Sequence, residues 1–245
     1  MIRDFCRDNF DIIIQGGQSN AEGAGFGIAE TPYEPSADIL YLNRDFTICQ
    51  AAEIVCGNEI KGDFSLTFAG RYQSTGMLAE GRKLLIIRAA VGGTGFSDCR
   101  WGPQDDLFLT MMDLIKTALS LNPQNRLAAF IWHQGETDVG HPADVHKKNL
   151  TRMVGLVRDA FNCPDLPYIA GDFVPQWKQS LSGDAEPVSR AIREVCQTLE
   201  NAAFVETEGL KSNAEQFGTD DTIHFCRDAL NKLGERYFEA FAQLR

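Results

Sequence analysis

Short runs of aliphatic residues alternate with longer segments whose apolar residues recur every three to four positions. No feature of this sequence constrains its fold more. The runs Asp11–Gln15, Asp38–Leu42, Lys83–Ala90, Leu127–His133, Pro167–Asp172 and Ala203–Glu206 read as strands. Several are apolar throughout, as strands are when both faces of a parallel sheet are covered. Between them, Leu107, Met111, Leu114 and Ala118 share one helical face. So do Leu150, Val154, Val157 and Phe161, then Val188, Ile192, Val195 and Leu199, and finally Leu230, Leu233, Tyr237, Phe241 and Leu244. Such alternation predicts a three-layer α/β/α sandwich around a central parallel sheet. With no repeat or linker-like composition, all 245 residues read as one domain, 1–245.

Open parallel sheets bind their ligands beyond the carboxyl ends of the strands, so reactive residues should follow strands. They do. The first strand runs into Gly16-Gly17-Gln18-Ser19-Asn20, the third into Val91-Gly92-Gly93-Thr94-Gly95-Phe96, and the fourth into Trp132-His133-Gln134-Gly135-Glu136-Thr137-Asp138. Another polar cluster, Asp220-Asp221-Thr222-Ile223-His224, precedes the last helix.

With 23 Lys and Arg against 34 Asp and Glu, the formal net charge is −11. This disfavours nucleic acid, whose binding needs a basic surface, and anionic membranes equally. No apolar run approaches the roughly 18–20 residues of a membrane span. Residues Met1–Asp8 show no charged-then-apolar leader, which points to the cytoplasm. The seven cysteines form no Cys-x-x-Cys pair and read as reduced thiols, with neither a zinc site nor a disulfide framework.

Four histidines supply the candidates for a base near neutral pH. His146, beside Lys147 and Lys148, reads as a solvated face residue, and His141, before Pro142, as the start of a helix. His133 closes a strand and reads as a core histidine or a pocket wall. His224 has Asp221 three residues before it, a spacing that lets the carboxylate meet Nδ1 and leaves Nε2 to take a proton. Alone, that motif is short enough to arise by chance. Ser19 strengthens it: a serine straight after a buried strand can sit in a sharp turn with its hydroxyl exposed, although a helix N-cap is the commoner use. Gly23–Gly27 lacks the Lys-Ser/Thr ending of a phosphate loop and reads as a flexible lid. Asp138 and His141 are too few to hold a metal.

Four blocks together, Gly17-Gln18-Ser19-Asn20, Gly92-Gly93-Thr94 with Trp101 downstream, Trp132-His133-Gln134-Gly135-Glu136 and Asp221-Thr222-Ile223-His224, resemble the SGNH-hydrolase superfamily. Within it they resemble the branch of carbohydrate esterase family 6 and the sialate O-acetylesterases, over nearly the whole chain. The resemblance implies a flavodoxin-like fold and a serine esterase that removes acetyl groups from carbohydrates through an acyl-enzyme, with no metal or organic cofactor; the missing leader favours small carbohydrates over intact polymer as the substrate. Ser19 would be the nucleophile, His224 the base and Asp221 its orienting carboxylate. The oxyanion hole would use the N–H groups of Ser19 and Gly93, with Gly92 as the alternative, and the Gln134 amide. Asn20, Gly92 and Glu136 would support the site; Trp101, Gln18 and His133 are candidate substrate contacts. A lipid- or thioester-directed acyl hydrolase and a non-catalytic carbohydrate-binding protein are the competing readings.

Overall fold

A computed structural model describes residues 5–244, so Met1–Asp4, half of the segment read for a leader, lie outside the described residues. In chain order the elements are β1 (Asn9–Gly17), α1 (Ser19–Glu22), β2 (Ile39–Leu42), β3 (Ile48–Gln50), β4 (Ile54–Cys56), β5 (Glu59–Lys61), α2 (Phe64–Ser74) and β6 (Arg82–Arg88). There follow α3 (Asp106–Ser120), β7 (Arg126–His133), α4 (Ala143–Ala160), β8 (Tyr168–Gly171), α5 (Pro175–Ser180), α6 (Glu186–Thr198), β9 (Ala202–Val205), α7 (Asn213–Phe217) and α8 (Arg227–Ala242).

Seven strands form one sheet in the order β3-β2-β6-β1-β7-β8-β9, parallel throughout except for the antiparallel edge strand β3. A separate hairpin joins β4 to β5. Compared with the flavodoxin order 2-1-3-4-5, the third parallel strand, β6, stands between β2 and β1. The chain nevertheless winds in both directions from β1, so the crevice at a strand-order reversal opens beside the end of that strand.

Alternation along the central strands divides the core. Phe10, Ile12 and Ile14 of β1, Leu85 and Ile87 of β6, and Phe130 and Trp132 of β7 face the layer built by α3, α4 and α6. Ile13, Leu84, Ile86, Ala129 and Ile131 face α2 and α8. Ile12, Ile13 and Ile14 are wholly buried, each stabilising the fold by roughly 1.5–3 kcal/mol relative to exposure. All six strands expected from the apolar runs are present, with ends shifted by at most two residues. The apolar pattern of the sequence does not mark β3, the β4–β5 hairpin or α2. Helix α2 buries Phe64, Leu66, Phe68, Ala69 and Tyr72 around more than one side, so it lacks a clean apolar stripe.

The expected lid at Gly23–Gly27 is a packed segment. Gly25 bridges to Gly62, and a Cβ there would lie 2.5 Å from the Phe225 carbonyl oxygen. At the end of β1, Gly17 has φ +126°, and a Cβ would lie 2.1 Å from the His133 carbonyl oxygen. That approach turns the chain out of the sheet into Ser19. Substituting Gly17→Ala should therefore cost about 2–4 kcal/mol in urea unfolding. Gly70→Ala in α2, where a Cβ meets nothing within 4 Å, should stabilise by up to about 1 kcal/mol. Equal midpoints for the two variants would contradict this account of the turn.

Candidate active site

Parallel pairing brings three turns together at the carboxyl ends of the central strands. β1 pairs with β6 on one side and β7 on the other, and two further bonds extend the pairing past the strands: Val91 N–H donates to the Gly17 carbonyl and Gln18 N–H to the His133 carbonyl, each at 3.0 Å. Ser19 opens α1 between these turns, and its first-turn N–H has no intrahelical acceptor.

The last polar cluster arrives from far along the chain. Ser19 Oγ lies 2.9 Å from His224 Nε2, and His224 Nδ1 lies 2.9 and 3.0 Å from the two Asp221 oxygens. Asp221 also accepts from Asn213 Nδ2 at 2.9 Å and from His224 N–H at 3.2 Å. Partial burial works to raise its pKa, but the bonds from Asn213 and His224 prevail and hold it below the usual carboxylate range. An ionised carboxylate at Nδ1 places the imidazole proton there and leaves Nε2 facing the serine hydroxyl as acceptor. The histidine and serine are both partly exposed.

Asn20 fixes that approach. Its Nδ2 donates to the Ile223 carbonyl at 3.0 Å and to Glu136 Oε1 at 2.8 Å, while its Oδ1 accepts from Phe225 N–H at 3.1 Å. The residue after the serine thus grips the backbone on both sides of His224. Glu136 is buried, which raises its pKa although Asn20 partly offsets the effect.

The two glycines of the second turn differ. Gly92 N–H donates to Glu22 Oε2 at 2.8 Å, and a Cβ on Gly92 would lie 3.5 Å from Ser19 Cβ. Gly93 has φ +68° and open space at its Cβ position. From the third turn, Gln134 Nε2 donates to Asp138 Oδ2 at 2.9 Å, which leaves its second N–H hydrogen.

Three residues expected to touch substrate are interior. Trp101 is 0 % exposed, crosses Trp132 edge to face at 4.9 Å and donates its indole N–H to Thr94 Oγ1, so it braces the second turn from beneath. Gln18 is 2 % exposed and accepts from Thr137 N–H through Oε1. His133 is 0 % exposed. Tyr237 donates its hydroxyl proton to the Trp132 carbonyl and therefore accepts from His133 Nδ1 at 3.0 Å. His146 departs furthest from expectation. It is 3 % exposed and 2.9 Å from Asp138, with its ring edge against Phe96. Two following lysines suggest a wet face, but α4 turns this residue inward just ahead of them. Arg100 is paired with Asp106, and Arg88 lies over Tyr41 and donates to the Glu22 carbonyl. Among the described residues no three His, Cys, Asp or Glu side chains group as metal ligands, and no helix is long and apolar enough to cross a membrane.

Residues 9–243 match the family described as carbohydrate esterase, sialic acid-specific acetylesterase, and the chain belongs to it. A probable carbohydrate esterase of Arabidopsis thaliana is 24% identical over 257 residues, covering 94% of this chain and 89% of that protein. A probable 9-O-acetyl-N-acetylneuraminic acid deacetylase of Escherichia coli K12 is 25% identical over 108 residues; the match spans 39% of this chain and only 32% of the relative. Among solved structures, an Arabidopsis thaliana protein superposes with a TM-score of 0.78 at 22% identity, covering 96% of this chain and 98% of that one. NanS superposes with a TM-score of 0.79 at 20% identity, covering 96% and 97%. These superpositions show that the fold is shared.

Burial gives His133 a pH signature. Loss of water lowers its pKa from 6.5 to about 4, so its contact with Glu136 at 3.9 Å is not an ion pair near neutrality. The unfolded chain takes up this proton first. The stabilising contribution is therefore complete above about pH 6.5 and is lost as pH falls towards 4, by up to about 1.4 kcal/mol per pH unit. Urea midpoints between pH 7.5 and 4.5 should fall more steeply for the native sequence than for His133→Asn. Identical slopes would mean that His133 is not held neutral.

Proposed function

We infer that this chain is a cytoplasmic serine esterase, a single domain that hydrolyses O-acetyl esters on small carbohydrates without a cofactor. The reading rests on one observation above the others, the continuous Ser19–His224–Asp221 hydrogen-bond chain. Family membership supports the acetylated carbohydrate as substrate class.

Ester hydrolysis needs an activated hydroxyl and donors placed where negative charge develops. Ser19 Oγ attacks the acetyl carbonyl while its proton passes to His224 Nε2. The C–O bond to the sugar then breaks as that proton moves to the departing sugar oxygen, leaving acetyl-Ser19. Water attacks the acyl-enzyme with His224 again as base, and acetate leaves as the proton returns to Ser19. Asp221 keeps the imidazole in register and balances the imidazolium charge. The oxyanion in both halves accepts from Ser19 N–H, Gly93 N–H and the free hydrogen of Gln134 Nε2. Gly92 is the weaker candidate because its N–H is engaged by Glu22. Asn20 and Glu136 contribute by holding His224 against Ser19.

Release of p-nitrophenol from the acetate and butyrate esters tests the chemistry. Acetate should be the faster substrate, and Ser19→Ala should abolish turnover; the same pair should behave alike on a 9-O-acetylated sialic acid. Serine-independent release would defeat the esterase reading, and a preference for butyrate or longer chains would move the protein to a lipid-directed class. Asn20→Ala should lower kcat by about ten- to a hundredfold, because misplacing the base by an ångström is costly. An unchanged kcat would remove Asn20 from the site.

A further inference from the structure

We propose that Asp138 is the positioning residue of the oxyanion hole, fixing which end of the Gln134 amide faces the reacting carbonyl, and that His146 holds Asp138 in place for it. The proposal rests on the serine-esterase reading above and on the use of Gln134 as an oxyanion donor.

Asp138 ends the 3-10 turn Glu136–Asp138 that follows β7 and is 2 % exposed. A buried carboxylate is costly unless its oxygens are satisfied, and here they are. Oδ2 accepts from Gln134 Nε2 at 2.9 Å, His146 Nδ1 at 2.9 Å and Phe96 N–H at 3.2 Å; Oδ1 accepts from Ser97 N–H at 2.8 Å. Burial works to raise its pKa, yet the bonds from His146, Ser97 and Gln134 hold it well below the usual carboxylate range.

An ionised carboxylate only accepts. It therefore selects the amide nitrogen of Gln134 as the atom that faces it, because the flipped amide would set Oε1 against the carboxylate oxygens. With the nitrogen so fixed, one N–H hydrogen is held by Asp138 and the other can meet an oxyanion. A flipped amide would offer the reacting oxygen an acceptor in place of a donor. Gln134 Oε1 is itself buried and makes no hydrogen bond to the described residues, so no bond on that side enforces the orientation.

The same carboxylate holds the second turn. Its bonds to the N–H groups of Phe96 and Ser97 anchor the loop that carries Gly93. A Cβ at Gly95 would lie 2.5 Å from Asp138 Oδ1 and 3.0 Å from Gln134 Nε2, so only glycine permits the loop to close on this pair. One group thus sets two of the three proposed oxyanion donors relative to each other. His146 reaches the group from α4, and because Asp138 accepts, Nδ1 carries the proton.

The test is a double-mutant cycle on aryl acetate turnover, with circular dichroism and urea midpoints confirming the fold of each variant. Gln134→Ala should lose about 10²–10³ in kcat. Asp138→Asn, nearly the same shape but able to donate to Gln134 Oε1, should lose about ten- to a hundredfold in kcat with KM changed less than about twofold. The double variant should be no slower than Gln134→Ala alone, because Asp138→Asn keeps an oxygen to accept from the Ser97 N–H that anchors the Gly93 loop, and what remains of its effect passes through the Gln134 amide. Near-native kcat for Asp138→Asn beside a slow Gln134→Ala would overturn the proposal and leave the esterase reading standing. Losses that multiply in the double variant would do the same. A fast Gln134→Ala would remove the oxyanion role of that amide and the proposal with it. Should Asp138→Asn fail to fold, His146→Asn, which keeps an N–H near Nδ1, should retain kcat better than His146→Leu. Equal kcat for those two would also overturn the proposal.

Discussion

Parallel pairing of β1 with both β6 and β7 is the constraint from which the site follows. Two parallel neighbours in register end at the same level, so the turns after Gly17, Ala90 and His133 emerge side by side. The bonds from Val91 and Gln18 extend that register beyond the strands, and Gly17 lets the backbone lie against His133 without a side chain between. Strands buried on both faces have little freedom to slip, because a one-residue shift would exchange the two halves of the core. The geometry at Ser19 is thus rooted in the least deformable part of the molecule.

The fourth segment, carrying Asp221 and His224, belongs to no strand and needs a separate restraint. Asn20 provides it by bonding the backbone before and after His224, a contact across 203 residues to Ile223 and 205 to Phe225. From the other direction, Asn213 Nδ2 donates to Asp221 and to the Ala24 carbonyl, and its Oδ1 accepts from Phe26 N–H. His224 and Asp221 are therefore held by side-chain amides, whose fork of donor and acceptor sets position and orientation together. Asp138 is arranged differently, as one acceptor-only group with four donors converging on it.

Much of the sandwich was legible because its strands are buried on both sides and read as unbroken apolar runs. Helices α3, α4, α6 and α8 were legible because each buries one stripe. Helix α2 was not, since Phe64, Leu66, Phe68 and Tyr72 wrap it and Thr67 and Gly70 weaken its local signal. The serine block was visible because it follows a strand, the aspartate and histidine block because of its Asp-x-x-His spacing before the last helix, and both through their resemblance to a known family. Trp101 and Gln18 lie in the interior although they neighbour the motifs, because proximity to a motif does not indicate which way a side chain turns; His133 takes the core place that was one of its two readings. His146 was misjudged because charge on the flanking residues describes a helix's neighbourhood, while burial is set residue by residue around the turn.

The sequence by itself determined the alternation of strands and helices, the division of apolar residues between two faces, and the chemical types available at the ends of the strands. Those properties are local, fixed by periodicity and by what each side chain can donate, accept or bury. Only the tertiary structure decided that Ser19 and His224 meet at 2.9 Å, that Glu22 engages Gly92 and not Gly93, and that Asp138 joins Gln134 to His146. Such pairings join residues from separate elements, and a sheet order that carries β6 inside β2 while β7 crosses to the far side of β1 is what brings them within hydrogen-bond reach.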